Sequence, residues 1–263
     1  GLVANVYQEA NAIPGWLEMA MSFFDHIAVY HAGPGGEYST DGTLEILERW
    51  KIPVTFGSID KGFGAVRTAT LRISPCDFIM LLDADERFHQ FVPALTCAGE
   101  STPPGEADQI IQAYDDRADH SACPSNWENL HRLGAKLEVS VGEVYNQGAW
   151  LRGILEGGQG ALDAVETIRR HWHDFTFRRP TQNWHTDPDF QRRIVRRSDS
   201  IGWDPGTRMH EHLLGAENVF RPNHEQGPFF DHYHFPFKRM AVEGRRHAIA
   251  VYDAIHDVRK PPT

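Results

Sequence analysis

Cysteine is scarce: Cys76, Cys97 and Cys123 are the only three in 263 residues, and their odd number and wide spacing exclude a disulfide framework. That pattern reads as a reducing compartment, so the chain is expected to be cytoplasmic. No apolar run approaches the roughly 18 residues needed to span a bilayer, which excludes a helical membrane anchor within this stretch. A surplus of positive charge is missing too. With a net charge of −10, no overall field draws the chain to nucleic acid or to an anionic membrane, although Arg192, Arg193, Arg196 and Arg197 crowd one segment. The glycine signatures of nucleotide binding are also absent: no strand runs into G-x-G-x-x-G, and there is no G-x-x-x-x-G-K-[ST]. Phosphate handling would then fall to a metal rather than to a glycine cradle.

What is present is enough for a full core. The composition is 41% hydrophobic, and the length suits one large α/β domain as well as it suits two small ones. Leu2 to Val6 reads as a strand, Pro14-Gly15 as a loop, and Trp16, Leu17, Ala20, Phe23 and Phe24 as one face of a helix. Ile27 to Tyr30 is a second strand. The Gly/Pro loop from Ala32 to Gly36 leads through Ser39-Thr40-Asp41-Gly42-Thr43 into a helix carrying Leu44, Ile46, Leu47 and Trp50. Val54 to Phe56 is a third strand, and Gly62 and Gly64 open a helix in which Arg67 looks towards the strand ends. This alternation calls for a parallel sheet with right-handed crossovers. Pro93, Pro103, Pro104 and Gly105 read as a linker, and Gln109 to Tyr114 as a further strand. Ser125 to Trp172 reads as helical, with stripes at Trp127, Leu130 and Leu133, at Val144, Leu151 and Leu155, and at Ala161, Val165, Ile168 and Trp172. Strand character resumes at Phe175 to Phe177 and at Ile194-Val195. A last helix carries Phe237, Ala241, Gly244, Ala248, Val251 and Ile255.

The chain is organised around Asp77 to Phe88. There a buried strand, Phe78 to Leu82, stops abruptly at Asp83, Asp85 and Glu86. In an open α/β sheet ligands bind beyond the carboxyl ends of the strands. Two carboxylates at i and i+2 on such an end can reach one hard cation and its phosphate-bearing ligand. Fifteen histidines are available to complete the site, several of them in His-x-His pairs: His171/His173, His210/His212 and His232/His234. One imidazole added to Asp83 and Asp85 would complete a six-coordinate site with phosphate oxygens and water, and a nearby acid could serve as base.

In order along the chain, these residues resemble the GT-A glycosyltransferases, particularly the inverting family 2 type. Asn5 and Glu9 are similar to that family's N-E-E segment, Ser39-Thr40-Asp41-Gly42-Thr43 to its S-x-D-G-T loop, and Arg67 to the arginine preceding its aspartate strand. Asp83-Ala84-Asp85-Glu86 resembles the D-x-D motif. Arg193-Ile-Val-Arg196 through Met209-His210-Glu211 resembles the R-L-F-R and H-E segments of the lipopolysaccharide-core transferases, and His232-Tyr233 their later H-Y. The resemblance implies a Rossmann-like, mostly parallel sheet flanked by helices, with a helical insertion and a C-terminal helix. Residues 1–98 would form the nucleotide-sugar half, 99–189 a largely helical insertion on the acceptor side, and 190–263 the catalytic and C-terminal part. It implies Mn²⁺ or Mg²⁺ held by Asp83, Asp85 and His232, with His234 and His210 as alternatives to the imidazole. Asn5, Glu9, His31, Asp41, Arg67, Asp83, Ala84 and Asp85 would contact the donor, a UDP-sugar first. Glu211 would be the general base for an inverting transfer, with Asp204 or Asp187 next in line. The acceptor could be a glycan, a lipid-linked glycan, a protein or a modified nucleic acid base. Where the family carries acids after its second strand that touch the nucleotide base, this chain has His31-Ala32 followed by a longer loop.

Two other classes compete. A zinc hydrolase could be built from the His-x-His pairs, yet no H-E-x-x-H is present and the aspartate pair would lack a purpose. The same fold could also persist as a nucleotide-sugar-binding module without turnover, for which His31-Ala32 is the main support. A sugar-nucleotide pyrophosphorylase would need a Gly-rich N-terminal signature that Leu2 to Gly15 does not contain.

Overall fold

The computed structural model describes residues 1–98, 138–158, 161–172, 189–205, 212–223 and 227–233. Its first four strands, β1 (Leu2–Val6), β2 (Ile27–Gly33), β3 (Val54–Ser58) and β4 (Phe78–Leu81), run parallel in the order β3-β2-β1-β4. Helices cover both faces of this half, which is why β1 reads as nearly continuous apolar sequence. Leu2, Ala4 and Val6 pack with Ile13, Trp16 and Leu17 of α1 (Ile13–Phe23) and Leu47 of α2 (Thr43–Arg49). Val3 faces the other way and packs with Leu71 of α3 (Phe63–Arg72) and with Ile79 and Leu81. Pro14 opens α1, where its missing N–H has no consequence. The start of α3 is held closely: a Cβ on Gly64 would fall 1.9 Å from the Asp204 carbonyl oxygen. Thr68, one turn further on, accepts a hydrogen bond from Trp203 N at 2.7 Å.

The remaining described elements are β5 (Glu86–Arg87), β6 (Phe91–Ala98), β7 (Glu138–Asn146), α4 (Gln147–Gly157), β8 (Ala164–Trp172), β9 (Asp189–Arg196), β10 (Gly202–Trp203), β11 (Leu213–Leu214), β12 (Val219–Phe220) and β13 (Phe229–Tyr233). The main sheet continues from β4 as β9-β8-β13-β5, with β12 also on β8. Parallel pairings outnumber antiparallel ones, the latter being β4 with β9, β8 with β9 and β13 with β5. The fold is therefore a mixed α/β architecture around a large, mostly parallel sheet.

Two expectations are corrected here. Residues 138–146 and 164–172 were expected to be helical and are strands β7 and β8; only Gln147–Gly157 between them is a helix. The spacing of Val165 and Ile168 fits a helix, but β8 lies inside the sheet with Ala164 through Ile168 all buried, so both of its faces are covered and its period of two is lost. The β-branched Val165, Thr167 and Ile168 were the opposing signal. Pro93, read as the start of a linker, lies inside β6, next to the register shift between Pro93 and Leu95 that accommodates it. The expected strands at Gln109 to Tyr114 and Phe175 to Phe177, the stripe at Trp127, Leu130 and Leu133, and the final helix from Phe237 lie outside the described residues. Among the described residues, no helix is long and apolar enough to cross a membrane.

Candidate active site

The apolar run of β4 ends where Leu82 N donates to the Val3 carbonyl at 3.1 Å, and the chain then turns sharply through Asp83-Ala84-Asp85. The two residues of β5 clamp that turn. Glu86 N donates to the Asp83 carbonyl at 2.9 Å, and Asp83 N donates to Glu86 Oε2, also at 2.9 Å. Arg87 supplies the opposite clamp: Nη1 donates to the carbonyls of Ala84 at 2.6 Å and Glu86 at 2.8 Å, while Nη2 reaches the Ala12 carbonyl at 2.8 Å. Ala84 itself is buried in the core. Its role visible here is to let the turn pack closely, with the two flanking carboxylates left on the site side.

Around that turn the sheet brings together residues far apart in sequence. Asp83 lies between two guanidinium groups, with Arg67 Nη2 at 3.2 Å and Arg193 Nη2 at 3.3 Å from Oδ2. Arg193 comes from β9, which pairs with β4, and its Nη2 also donates to Glu86 Oε1 at 2.7 Å. Arg169 of β8 holds Asp189 at 2.7 Å and approaches Glu86 Oε1 at 3.8 Å. Asp85 meets His232 of β13, with Nε2 3.3 Å from Oδ2 and both side chains nearly excluded from solvent. His232 reaches this point because β13 pairs with β5 in the register that sets His232 opposite Glu86. Burial pushes the Glu86 carboxyl up to about 7, with Asp83 and Asp85 adding to the rise and Arg193 and Arg169 opposing it.

The strand carrying His232 is fixed from two further sides. Arg170 and Asp231 form a fully buried bidentate pair across β8 and β13, at 2.7 and 2.8 Å, the geometry in which guanidinium and carboxylate satisfy each other best. The Gln147 side chain pairs with both backbone groups of Phe229: it accepts from N at 2.8 Å and donates to the carbonyl at 3.1 Å. Its amide also donates to the His89 carbonyl at 2.6 Å.

A second wall lies at the ends of β1 and β2. The Thr70 hydroxyl donates to Asn5 Oδ1. Glu9 is buried; its N–H donates to Thr43 Oγ1 at 2.8 Å, and its carbonyl accepts from Ala12 and Ile13 at 3.0 Å each. Both Asp41 oxygens bind the chain itself: Oδ2 accepts from Ala10 N at 2.8 Å, and Oδ1 from Thr43 N at 3.0 Å and Thr43 Oγ1 at 2.6 Å. His31 is buried beneath the exposed rings of Tyr38 and Phe56. Its Nε2 accepts from Ser39 N at 3.1 Å and contacts Ser39 Oγ at 2.9 Å, which assigns the ring proton to Nδ1 and the ring to its neutral form.

That burial lowers the His31 pKa from its ordinary 6.5, against a backbone hydrogen bond and Asp41, which raise it. The unfolded chain therefore takes up a proton as the pH falls through 6.5, while the folded chain resists it, so stability drops below that pH. His26 and His89, also lowered chiefly by burial, act in the same sense. Thermal melts between pH 7.5 and 5 are expected to show a falling midpoint, with a shallower slope in His31→Asn. An unchanged slope in that variant would show that His31 does not carry this share.

Of the residues singled out in the sequence, Arg67, Asp83, Asp85 and His232 come together at one strand end, and Asn5, Glu9, His31 and Asp41 line the neighbouring ones. Among the described residues no three His, Cys, Asp or Glu side chains converge as a metal-ligand group: Asp85 and His232 form a pair, and Asp83 is turned to its arginines. Glu211, His210, His234 and Asp187 lie outside the described residues. Asp204 is described, and its N–H donates to the His212 carbonyl at 2.9 Å, so the chain on either side of 206–211 is tied at the start of α3, one turn from Arg67. Sequence reasoning missed Glu86 and Arg87 as the clamp, Arg169 and Arg193 as charge partners, and Gln147. The crowded arginines of β9 were a signal for Arg193, but only the strand's alternation sorts it from Arg192, which turns to Glu166.

No family model and no curated protein matches this chain. Among solved structures it is similar to residues 1–349 of S. aureus TarS, with 10% identity over 97% of this chain and 64% of that one and a TM-score of 0.47. It is also similar to the mannosyltransferase PcManGT from Pyrobaculum calidifontis in complex with GDP-Man and Mn²⁺, with 12% identity, 100% and 64% coverage and a TM-score of 0.43. S. aureus TarS 1–349 in complex with UDP matches at 17% identity over 43% of this chain and 32% of that one, with a TM-score of 0.29. The chain spans less than two thirds of each of these proteins.

Proposed function

We propose that this chain is a metal-dependent glycosyltransferase that transfers a sugar from a nucleotide-sugar donor to an acceptor hydroxyl with inversion, a UDP-sugar being the first donor to test. The observation that supports this reading is the Asp85–His232 pair, 3.3 Å apart at the carboxyl end of β4, beside an Asp83 held by Arg67 and Arg193. A carboxylate with an imidazole is a donor set that suits Mn²⁺, and Mg²⁺ sites likewise need only one or two carboxylates when substrate phosphates and water fill the rest. Asp85 and His232 would hold the ion. When bound, it would offset the charge that develops on the departing diphosphate.

The other residues have separable tasks in this reading. Arg67 and Arg193 hold the Asp83 carboxylate in one orientation next to the Asp85–His232 pair. Asp41 shapes the donor side indirectly, since its oxygens join the Ala10 segment to the start of α2. Asn5, Glu9 and His31 belong to the same donor wall. Glu211 would accept the acceptor's proton, a role read from its position in the H-E segment.

A thermal-shift screen with UDP, GDP, UDP-GlcNAc and GDP-Man, each with and without Mn²⁺, tests the reading. Nucleotide stabilisation that depends on Mn²⁺, together with release of nucleoside diphosphate when an acceptor is supplied, is the expected result. Stabilisation by zinc alone would favour a hydrolase. Nucleotide binding without any turnover would favour a binding module.

A further inference from the structure

We infer that Glu86 is a positioning residue, one that sets the geometry of the Asp83–Asp85 turn and of Arg193 together and through them the affinity for the cation. The inference rests on the functional reading above. Glu86 is 1% exposed, and its two oxygens serve different elements. Oε2 accepts from the Asp83 backbone N–H at 2.9 Å, which holds the turn after β4 closed. Oε1 accepts from Arg193 Nη2 at 2.7 Å, which holds a β9 side chain against that same turn. The Arg193 nitrogen involved also lies 3.3 Å from Asp83 Oδ2, so Glu86 and Asp83 share one guanidinium corner. Glu86 further sits opposite His232 in the β5–β13 register. The carboxylate thereby ties the Asp83–Asp85 turn to Arg193, while the backbone of the same residue pairs with the strand bearing His232.

The chemistry of the two contacts makes the role testable. Each Glu86 oxygen faces an N–H donor. A glutamine in the same place offers one acceptor and one NH₂ group, so one contact must become donor against donor, whichever way the amide turns. Either the turn loses its closure or Arg193 is pushed onto Asp83 and towards Asp85. Partners that orient metal ligands from behind typically change metal affinity by about 10- to 100-fold when removed. An aspartate keeps both acceptors and should restore part of what glutamine loses.

Manganese affinity, read by electron paramagnetic resonance on the folded proteins with UDP present, is the measurement. Glu86→Gln is expected to weaken Mn²⁺ binding by at least about tenfold. Glu86→Asp should lie between it and the wild type. The control is Glu166→Gln, which removes another buried carboxylate, held by Arg192 and Arg221 outside the site. It should lower the melting temperature and leave Mn²⁺ affinity unchanged. The inference is overturned if Glu86→Gln binds Mn²⁺ as the wild type does, losing only melting temperature as Glu166→Gln does. A wild type that binds no Mn²⁺ under any nucleotide defeats the functional reading itself, and this inference with it.

Discussion

Asp85→Ala is expected to abolish the proposed sugar transfer and to leave the protein folded. The side chain is 1% exposed and sits at the strand end, its Oδ2 3.3 Å from His232 Nε2. What is lost is the carboxylate that would hold the ion. Charge stabilisation of a phosphoryl leaving group by a metal is worth several kcal/mol, and each 1.36 kcal/mol is a factor of about ten in rate, so a fall of at least about a thousandfold follows. Nucleotide affinity in the presence of Mn²⁺ should fall with it, since the diphosphate would lose its counter-charge. Donor turnover and thermal melting of the same preparation check both halves of the expectation. A variant that keeps its melting curve and also keeps wild-type turnover, or a wild type that turns over fully in chelator, contradicts the assignment.

Glu211→Gln is expected to separate chemistry from binding. The substitution keeps the shape of the side chain and removes its basicity, and a positioned general base typically contributes about 10²- to 10⁴-fold. Transfer should therefore drop by at least about a hundredfold, with donor affinity within a factor of about two of wild type. The reason to look here is the His210-Glu211 pair, from whose H-E pattern the proposed role is read. A kcat that barely moves, or a donor affinity that collapses with the rate, removes Glu211 from the role and makes Asp204 or Asp187 the next variant to measure.

The first half of the fold was legible because parallel strands covered on both faces leave a simple record. Leu2 to Val6 and Phe78 to Leu82 are apolar runs bounded by polar turns, and the helices between them carry regular stripes. The acids at the end of β4 stood out for the same reason: an apolar run that stops at three carboxylates has few uses. The second half hid its strands. In β8, Glu166 and Arg170 occupy buried positions that a hydrophobic pattern cannot recognise, because each is satisfied by an ion pair with a residue more than 20 positions away, Arg192 and Asp231. Glu86 was seen as a third acid but not as a clamp, since its partners Asp83 N and Arg193 are joined only by the turn and by the β4–β9 pairing. The Arg67 orientation was legible from helical spacing; the Gln147 clamp on Phe229 carried no local signal at all.

The measurement that bears most directly on the central claim is a calorimetric titration of UDP and GDP into the wild type and Asp85→Ala, with Mn²⁺ and then with chelator. If the strand end of β4 is a metal-dependent donor site, at least one nucleotide binds the wild type with Mn²⁺, that binding disappears in chelator, and Asp85→Ala shows little in either condition. Equal binding by both proteins, indifferent to Mn²⁺, would contradict it.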